Sequence, residues 1–249
     1  VIADRLLAAG RVLIGDPSVY TGAYALLGMA LYAVQLYADL TGGIDITIGI
    51  AQVLGIRVQE NFNRPYFSKS VTEYWRRWHI SLGEWFKEYL FYPVSVSKPM
   101  LRLSKNARAR LGDAVGKRIP VYLSTILVWL TTGIWHGRGW NFVVWGLGNC
   151  VIILISQELS PLYRKFHARF PSLKNTAPYK SFEILRTVFL LSSLRMLDCY
   201  RDVPLTFRMF GGIFTEGNYA ELLGGGFLKL GLSGWDYAVV LAGGLLLFG

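Results

Sequence analysis

The sequence predicts an all-α, polytopic integral membrane protein, a helical bundle with re-entrant and interfacial helices, on three observations. Its 249 residues are 53% hydrophobic and only 17% charged, against roughly one quarter charged in a soluble domain. Several apolar runs approach the ~20 residues needed to cross hydrocarbon. The formal charge of +10 is gathered beside those runs instead of being spread over the chain. With a mean hydropathy of +0.36, this composition excludes a disordered chain, a disulfide scaffold and a coiled coil. The two cysteines, Cys150 and Cys199, sit inside apolar runs with no disulfide or zinc spacing and read as inert core thiols. The chain begins at Val1 and stops at Gly249 inside the apolar run 237–249, so residues 1–249 read as a single domain cut at both ends from a longer protein.

The first expected span is Val19 to Leu40, which Thr41, Gly42 and Gly43 interrupt. The shorter apolar stretch Ile44 to Ile56 then reads as a re-entrant or buried helix. Asp39 and Asp45 bracket the break; they either cap the Gly-rich turn and its following helix or form a proton or metal site. In the aromatic and basic segment that follows, Ser70 and Glu73 have the spacing of a capping box and Pro93 closes the far end. A helix from Val71 to about Tyr92 is expected. Trp75, Trp78, Leu82, Trp85, Phe86 and Tyr89 recur at three and four along it, the pattern of an interfacial helix with an aromatic face.

Pro120 is expected to begin the next span, and Trp140 to Ser156 to form a second one after a very short connection, giving a helical hairpin. Phe182 to Cys199 is apolar but contains Arg186 and Arg195, and Leu205 to Trp235 is Gly-rich and loop-like. No internal repeat is visible. Between Arg57 and Arg118 there are 13 Lys or Arg against 5 acids. Residues 157–181 carry five against one, and residues 200–236 three against four. Basic loops beside spans follow the positive-inside pattern, so the first two of these segments face the cytoplasm and the third faces outward. Concentrated in this way, the charge points to anionic lipid or an anionic substrate as further partners and away from nucleic acid.

Three histidines are present. His167 lies in the basic run YRKFHARF and reads as an ordinary exposed residue. His79 has Trp75, Leu82 and Phe86 at i−4, i+3 and i+7, on the aromatic face, where a packed, hydrogen-bonded ring and a functional one are both open readings. His136, in TTGIWHGRGW, follows about fifteen apolar residues counted from Pro120. At ~1.5 Å per residue that run falls short of the ~30 Å hydrocarbon, which places the imidazole at membrane depth, where an ionisable group is a functional-site hypothesis. Gly133, Gly137 and Gly139 permit close approach of a substrate or a second backbone. Arg195 has Asp198 three residues on; snorkelling or internal pairing and the binding of an anion both fit the two arginines. No serine-hydrolase, zincin, Walker or dinucleotide pattern occurs.

The run RPYFSKSVTEYWRRWHISLGEWFKEYLFYPV from Arg64 to Val94, with TTGIWHGRGWNFVVWGLGN from Thr131 to Asn149, closely resembles the membrane-bound O-acyltransferase family, in its alginate O-acetyltransferase branch. The resemblance implies a multi-pass enzyme of the cell membrane. It implies transfer of an acetyl or similar acyl group from a cytoplasmic thioester to a hydroxyl, for modification of an extracellular or cell-wall polysaccharide. On the family motifs, His136 and His79 would be catalytic, and Trp135, Arg76, Arg77, Trp78 and Asn141 would contact substrate. A neutral imidazole can take a hydroxyl proton as the oxygen attacks a thioester. Neither a metal nor a bound cofactor is implied. The implied co-substrate is acetyl-CoA or an acyl carrier protein thioester; membrane lipid, a polysaccharide acceptor and an extracellular partner acetyltransferase complete the set. The pattern departs at Asn149, where many relatives carry a further histidine. A transporter or flippase, or a scaffold for an extracellular transferase, is the competing class.

The charge balance makes topology testable by cysteine labelling in intact cells. A cysteine introduced near Glu216 should react with an impermeant reagent and one near Lys105 should not; the reverse pattern overturns the orientation.

Overall fold

The structure is a computed structural model that describes residues 2–248, with side chains described over 2–242. Gly249, the end of the last expected apolar run, lies outside the described residues. Among the described residues the regular structure is helical, with one isolated antiparallel bridge between Phe62 and Trp78 and no longer strand. It divides into two compact units, residues 60–188 and a second unit that joins residues 2–59 to 189–248.

In the second unit, α1 (Ile2–Gly15) packs along α2 (Ala23–Val53). Ala9, Leu13, Tyr24 and Leu230 form one buried cluster, and Ala25, Met29, Met196, Met209 and Ile213 another. The latter joins α2 to the end of α10 (Ala177–Tyr200) and to α11 (Val203–Thr215). The first amide of α2 has no intrahelical acceptor, and Asn218 supplies one: Ala23 N–H donates to its Oδ1 at 2.8 Å, while its Nδ2 donates to the Thr21 carbonyl at 3.0 Å. Inside the unit the Tyr32 hydroxyl donates to Asp198, and Arg195 is buried. The Tyr32 bond gives Asp198 a partner outside its own helix.

The expected break at Thr41, Gly42 and Gly43 is absent. α2 runs through it for 31 residues, roughly 46 Å, and Asp39 and Asp45 stand exposed inside the helix without a turn to cap. A helix-interior glycine costs only about 1 kcal/mol relative to alanine, whereas a break in an apolar helix strands backbone groups. Thr41 and Thr47 hydroxyls bond back to the Tyr37 and Gly43 carbonyls at 2.7 and 2.9 Å, on either side of the glycine pair. Ile44 to Ile56 is therefore no re-entrant helix; α2 carries it to Val53.

In the unit formed by residues 60–188, the helix expected from Val71 to Tyr92 is broken. α3 (Val71–Arg77) stops at Trp78 and α4 (Ile80–Phe86) begins after His79, followed by a π-helical turn at Lys87–Phe91 and α5 (Tyr92–Ser95), with Pro93 inside it. The start is as expected: Ser70 Oγ accepts from Glu73 N–H at 3.2 Å, and the Glu73 carboxylate accepts from Lys69 N–H at 2.9 Å. The expected basic loop contains α6 (Lys98–Leu111), with Ser97 as N-cap and Pro99 in its first turn.

α7 (Asp113–His136) begins seven residues before Pro120, so the proline is internal and the helix is 24 residues long, roughly 36 Å. The expectation that this helix is too short to cross is thereby corrected. Proline takes the hydrogen bond that residue 120 would donate to the Gly116 carbonyl. That carbonyl accepts instead from the buried Ser104 hydroxyl of α6 at 2.8 Å. The same contact needs a glycine, because a Cβ at Gly116 would lie 2.6 Å from the Arg108 backbone nitrogen. α8 (Trp140–Glu158) returns after residues 137–139, making the expected hairpin.

α2, α7 and α8 are long and apolar enough to cross a membrane. α10, containing the expected span Phe182 to Cys199, does not reach that apolarity, because its turns also carry Lys180, Glu183 and the two arginines. The segment expected as a basic loop after α8 holds α9 (Ser160–Arg169), and the segment expected to face outward, residues 200–236, holds α11 and α12 (Tyr219–Leu223) before α13 (Gly234–Phe248). His167 is half-buried, not exposed, with Nε2 3.0 Å from the Tyr179 hydroxyl. Cys150 is buried, Cys199 half-buried, and both are reduced.

The Ser104 to Gly116 bond yields a double-mutant test. Ser104→Ala should cost about 1–3 kcal/mol by stranding a buried carbonyl. In a Pro120→Ala background, where residue 120 can donate to Gly116, the same change should cost clearly less. Equal shifts of the unfolding midpoint in both backgrounds would disprove the substitution of one donor for the other.

Candidate active site

α7 and α8 touch backbone to backbone at their joined ends. A Cβ on Gly146 would run into the Trp129 carbonyl and lie 3.2 Å from Gly133 Cα, and one on Gly133 would lie 2.5 Å from the Phe142 carbonyl oxygen. Small residues allow that approach. Of Gly133, Gly137 and Gly139, expected to admit a substrate or a second backbone, Gly133 admits a second backbone, whereas a Cβ on Gly137 or Gly139 would meet the Phe142 ring or the Asn141 side chain.

His136 is the last residue of α7. Its Nδ1 is 2.8 Å from the Thr132 carbonyl oxygen, four residues back in the last turn of the same helix. A carbonyl only accepts, so Nδ1 carries the hydrogen. In the neutral ring Nε2 then holds the basic lone pair. Trp145 lies 4.5 Å from the ring, centroid to centroid, Trp135 packs edge-on at 4.8 Å and Phe142 stands at 6.5 Å. Trp145 is buried, whereas Trp135 is exposed.

His79 is held differently, at the helix break and in a left-handed conformation (φ 49°) uncommon for a side-chain-bearing residue. Residues 61–63 run alongside the break: Ile80 N–H donates to the Asn61 carbonyl and Asn63 N–H to the Arg77 carbonyl, both at 3.0 Å. The Asn61 side chain faces His79, its Oδ1 3.1 Å from Nδ1. Ser81 N–H and Ser81 Oγ donate to the same oxygen at 3.2 and 2.6 Å. The shared aromatic face with Leu82 and Phe86 that a continuous helix would give His79 does not exist.

Rings connect the two histidines inside this unit. Phe62 stands 6.3 Å from His79 and 5.1 Å from Trp78; Trp78 stacks on Tyr74 at 5.4 Å; Tyr74 meets Trp75 at 5.2 Å. Trp75 reaches Trp129 at 4.8 Å and Trp145 at 6.1 Å, and Trp145 carries the chain to His136. Edge-to-face pairs of this kind each contribute about 0.5–1.5 kcal/mol beyond their buried area.

The remaining expected residues fall in different places. Trp78 is buried within the ring network, and Arg77 pairs with Glu73 at 2.6 Å. Arg76 is exposed and Asn141 is buried in the first turn of α8. Asn149, fully buried, donates from Nδ2 to the Trp145 carbonyl at 2.9 Å. Arg186 donates to the Lys69 carbonyl at 2.8 Å with its guanidinium over the Phe182 ring. Sequence reasoning missed Asn61, whose only signal is its place in the NFN run, and Thr132, whose signal is its i−4 relation to His136. No group of three or more His, Cys, Asp or Glu among the described residues could hold a metal ion.

The model of the membrane-bound O-acyltransferase family matches residues 12–108. Over 221 residues the chain is 31% identical to the probable alginate O-acetylase AlgI of Azotobacter vinelandii, covering 88% of this chain and 36% of that protein. It is 37% identical over 142 residues to a peptidoglycan O-acetyltransferase of Helicobacter pylori (57% of this chain, 24% of that protein). It is 30% identical over 128 residues to a teichoic acid D-alanyltransferase of Bacillus subtilis (51% and 30%). The chain thus spans about a third or less of the length of these relatives.

Burial pushes the His79 imidazole below the ordinary histidine value of 6.5. The unfolded chain therefore takes up this proton first, so the stability it contributes is complete above about pH 6.5 and is lost as pH falls from there towards the lower folded value. A titration of His79 followed by NMR should give a midpoint below 6.5; a midpoint at or above it would contradict a desolvated ring.

Proposed function

The chain belongs to the membrane-bound O-acyltransferase family, and from that premise we propose that the protein moves an acetyl or similar acyl group from a thioester donor to a hydroxyl acceptor, for modification of an extracellular or cell-wall polysaccharide. The observation that carries the reading is the Thr132 carbonyl on Nδ1 of His136. It leaves Nε2 as the base, on a ring packed against Trp145 at the end of an apolar helix.

The chemistry follows from that nitrogen. As the acceptor oxygen bonds to the thioester carbonyl carbon, its proton passes to Nε2 of His136. The C–S bond then breaks, the leaving sulfur takes the proton back from the imidazolium, and the products are an ester and a thiol. The Nδ1–H bond to Thr132 persists through both steps and holds the ring in one orientation. While the ring is positive it sits at the C-terminal end of α7, the negative end of the helix dipole.

Acetyl-CoA suits an acetyl donor and an acyl carrier protein a D-alanyl donor. The relatives' names, alginate O-acetylase, peptidoglycan O-acetyltransferase and teichoic acid D-alanyltransferase, support a polymer acceptor. The three apolar helices support a multi-pass place in the cell membrane, with donor bound from the cytoplasm and acceptor handled outside, by an extracellular partner acetyltransferase where one is present.

Acyl transfer by the full-length protein tests the reading. His136→Ala should insert normally yet lose transfer by roughly 10²-fold to 10⁴-fold, the usual contribution of a positioned base. His136→Gln keeps volume and hydrogen bonding but no basic nitrogen, and should lose as much. Near-normal transfer by the glutamine variant, at equal membrane abundance, would overturn proton abstraction by His136.

A further inference from the structure

Asn61 lies outside every motif residue considered above, yet it supplies both a main-chain and a side-chain acceptor to the break at His79. It is buried, at 7% exposure. Its main-chain carbonyl accepts from Ile80 N–H, fixing the backbone on the far side of the left-handed residue. Its side-chain oxygen accepts from the Ser81 amide and hydroxyl. A backbone N–H can only donate, so the atom facing Ser81 is the amide oxygen and not its nitrogen. The same oxygen stands 3.1 Å from Nδ1 of His79, and it can only accept there too.

We propose that Asn61 is a positioning residue for acyl transfer: its Oδ1 holds His79 as the Nδ1–H tautomer, so that Nε2 is the nitrogen that accepts a hydrogen bond from a substrate hydroxyl. The proposal rests on the acyl-transfer reading above. His79 and His136 are then set alike by different means, one by a side-chain amide and the other by the carbonyl of its own helix, and each turns its acceptor nitrogen away from its clamp. The division of labour is geometric. His136 ends an apolar helix against Trp145, whereas His79 sits on left-handed backbone flanked by the pairing of residues 61–63 with 77–80. Such a conformation places a ring where a regular helix could not.

Full-length protein labelled with 15N-histidine tests the assignment without relying on activity, the His79 signals being identified by their loss in His79→Gln. Wild-type protein should show Nδ1 protonated and Nε2 unprotonated at a pH where the ring is neutral. Asn61→Leu, close in size but lacking an acceptor, should lose that preference and lower kcat about tenfold or more, within the ~10⁴-fold that a wrong tautomer can cost, with KM nearly unchanged. Asn61→Asp, which keeps the acceptor, should restore the tautomer and most of kcat. Ser81→Ala, which removes a donor to Asn61 but leaves its oxygen on His79, should keep both.

A protonated Nε2 in the wild type, which needs no folded variant to detect, overturns the proposal. So does an Asn61→Leu protein with an unchanged tautomer, or with a changed tautomer and normal kcat. So does normal transfer by His79→Ala, whereas a wild-type protein that transfers no acyl group overturns the acyl-transfer reading and is separable, since the tautomer signals would stand.

Discussion

Departures from regular helix in residues 60–188 strand backbone donors and acceptors, and this unit is arranged around the groups that take them up. Pro120 strands the Gly116 carbonyl, which Ser104 satisfies. At the end of α7 the Thr132 carbonyl also takes the Nδ1–H of His136. The break at His79 strands the Ile80 amide and the Arg77 carbonyl, which Asn61 and Asn63 satisfy. In apolar surroundings an unmet backbone group costs several kcal/mol, so these are obligations and not refinements. Two of these three contacts also orient a histidine.

The rings give this unit its second layer of order. Trp75, Trp129 and Trp145 come from α3, α7 and α8, so the cluster locks the capped start of the aromatic segment to the hairpin that carries His136. Ser70 and Glu73 set where α3 begins, and therefore which residues of the WRRWH run face that cluster. Trp75 goes to the hairpin, and Trp78 turns back onto Tyr74 and Phe62. One turn of helix thus separates a tryptophan that joins elements from one that supports His79.

Much of the hairpin was legible in the sequence: apolar run, short glycine-rich connection, apolar run, with His136 at the turn. The Ser70 cap was legible for the same reason, because capping is local chemistry. The break at His79 was not. Its apolar spacing suits a continuous helix, and nothing in a histidine codon position announces a left-handed backbone; the cause lies some eighteen residues upstream in Asn61. The glycine pair in α2 misled in the opposite direction, since flexibility permits a break but only stranded or satisfied hydrogen bonds decide one. Charge misled too. Lys98 to Leu111 reads as a basic loop until Ser97 and Pro99 are recognised as the start of a helix, and Pro120 reads as a helix start until Ser104 is seen to serve the carbonyl that the proline orphaned.

The three-residue connection between α7 and α8 also bears on how this part of the chain orders itself. A turn of Gly137, Arg138 and Gly139 closes so short a loop that bringing Gly133 against Gly146 costs little chain entropy. The His136 ring, its carbonyl clamp and the Trp145 that packs on it all lie between Thr132 and Trp145, so the cluster draws on one stretch of chain and on no distant element to bring its members together.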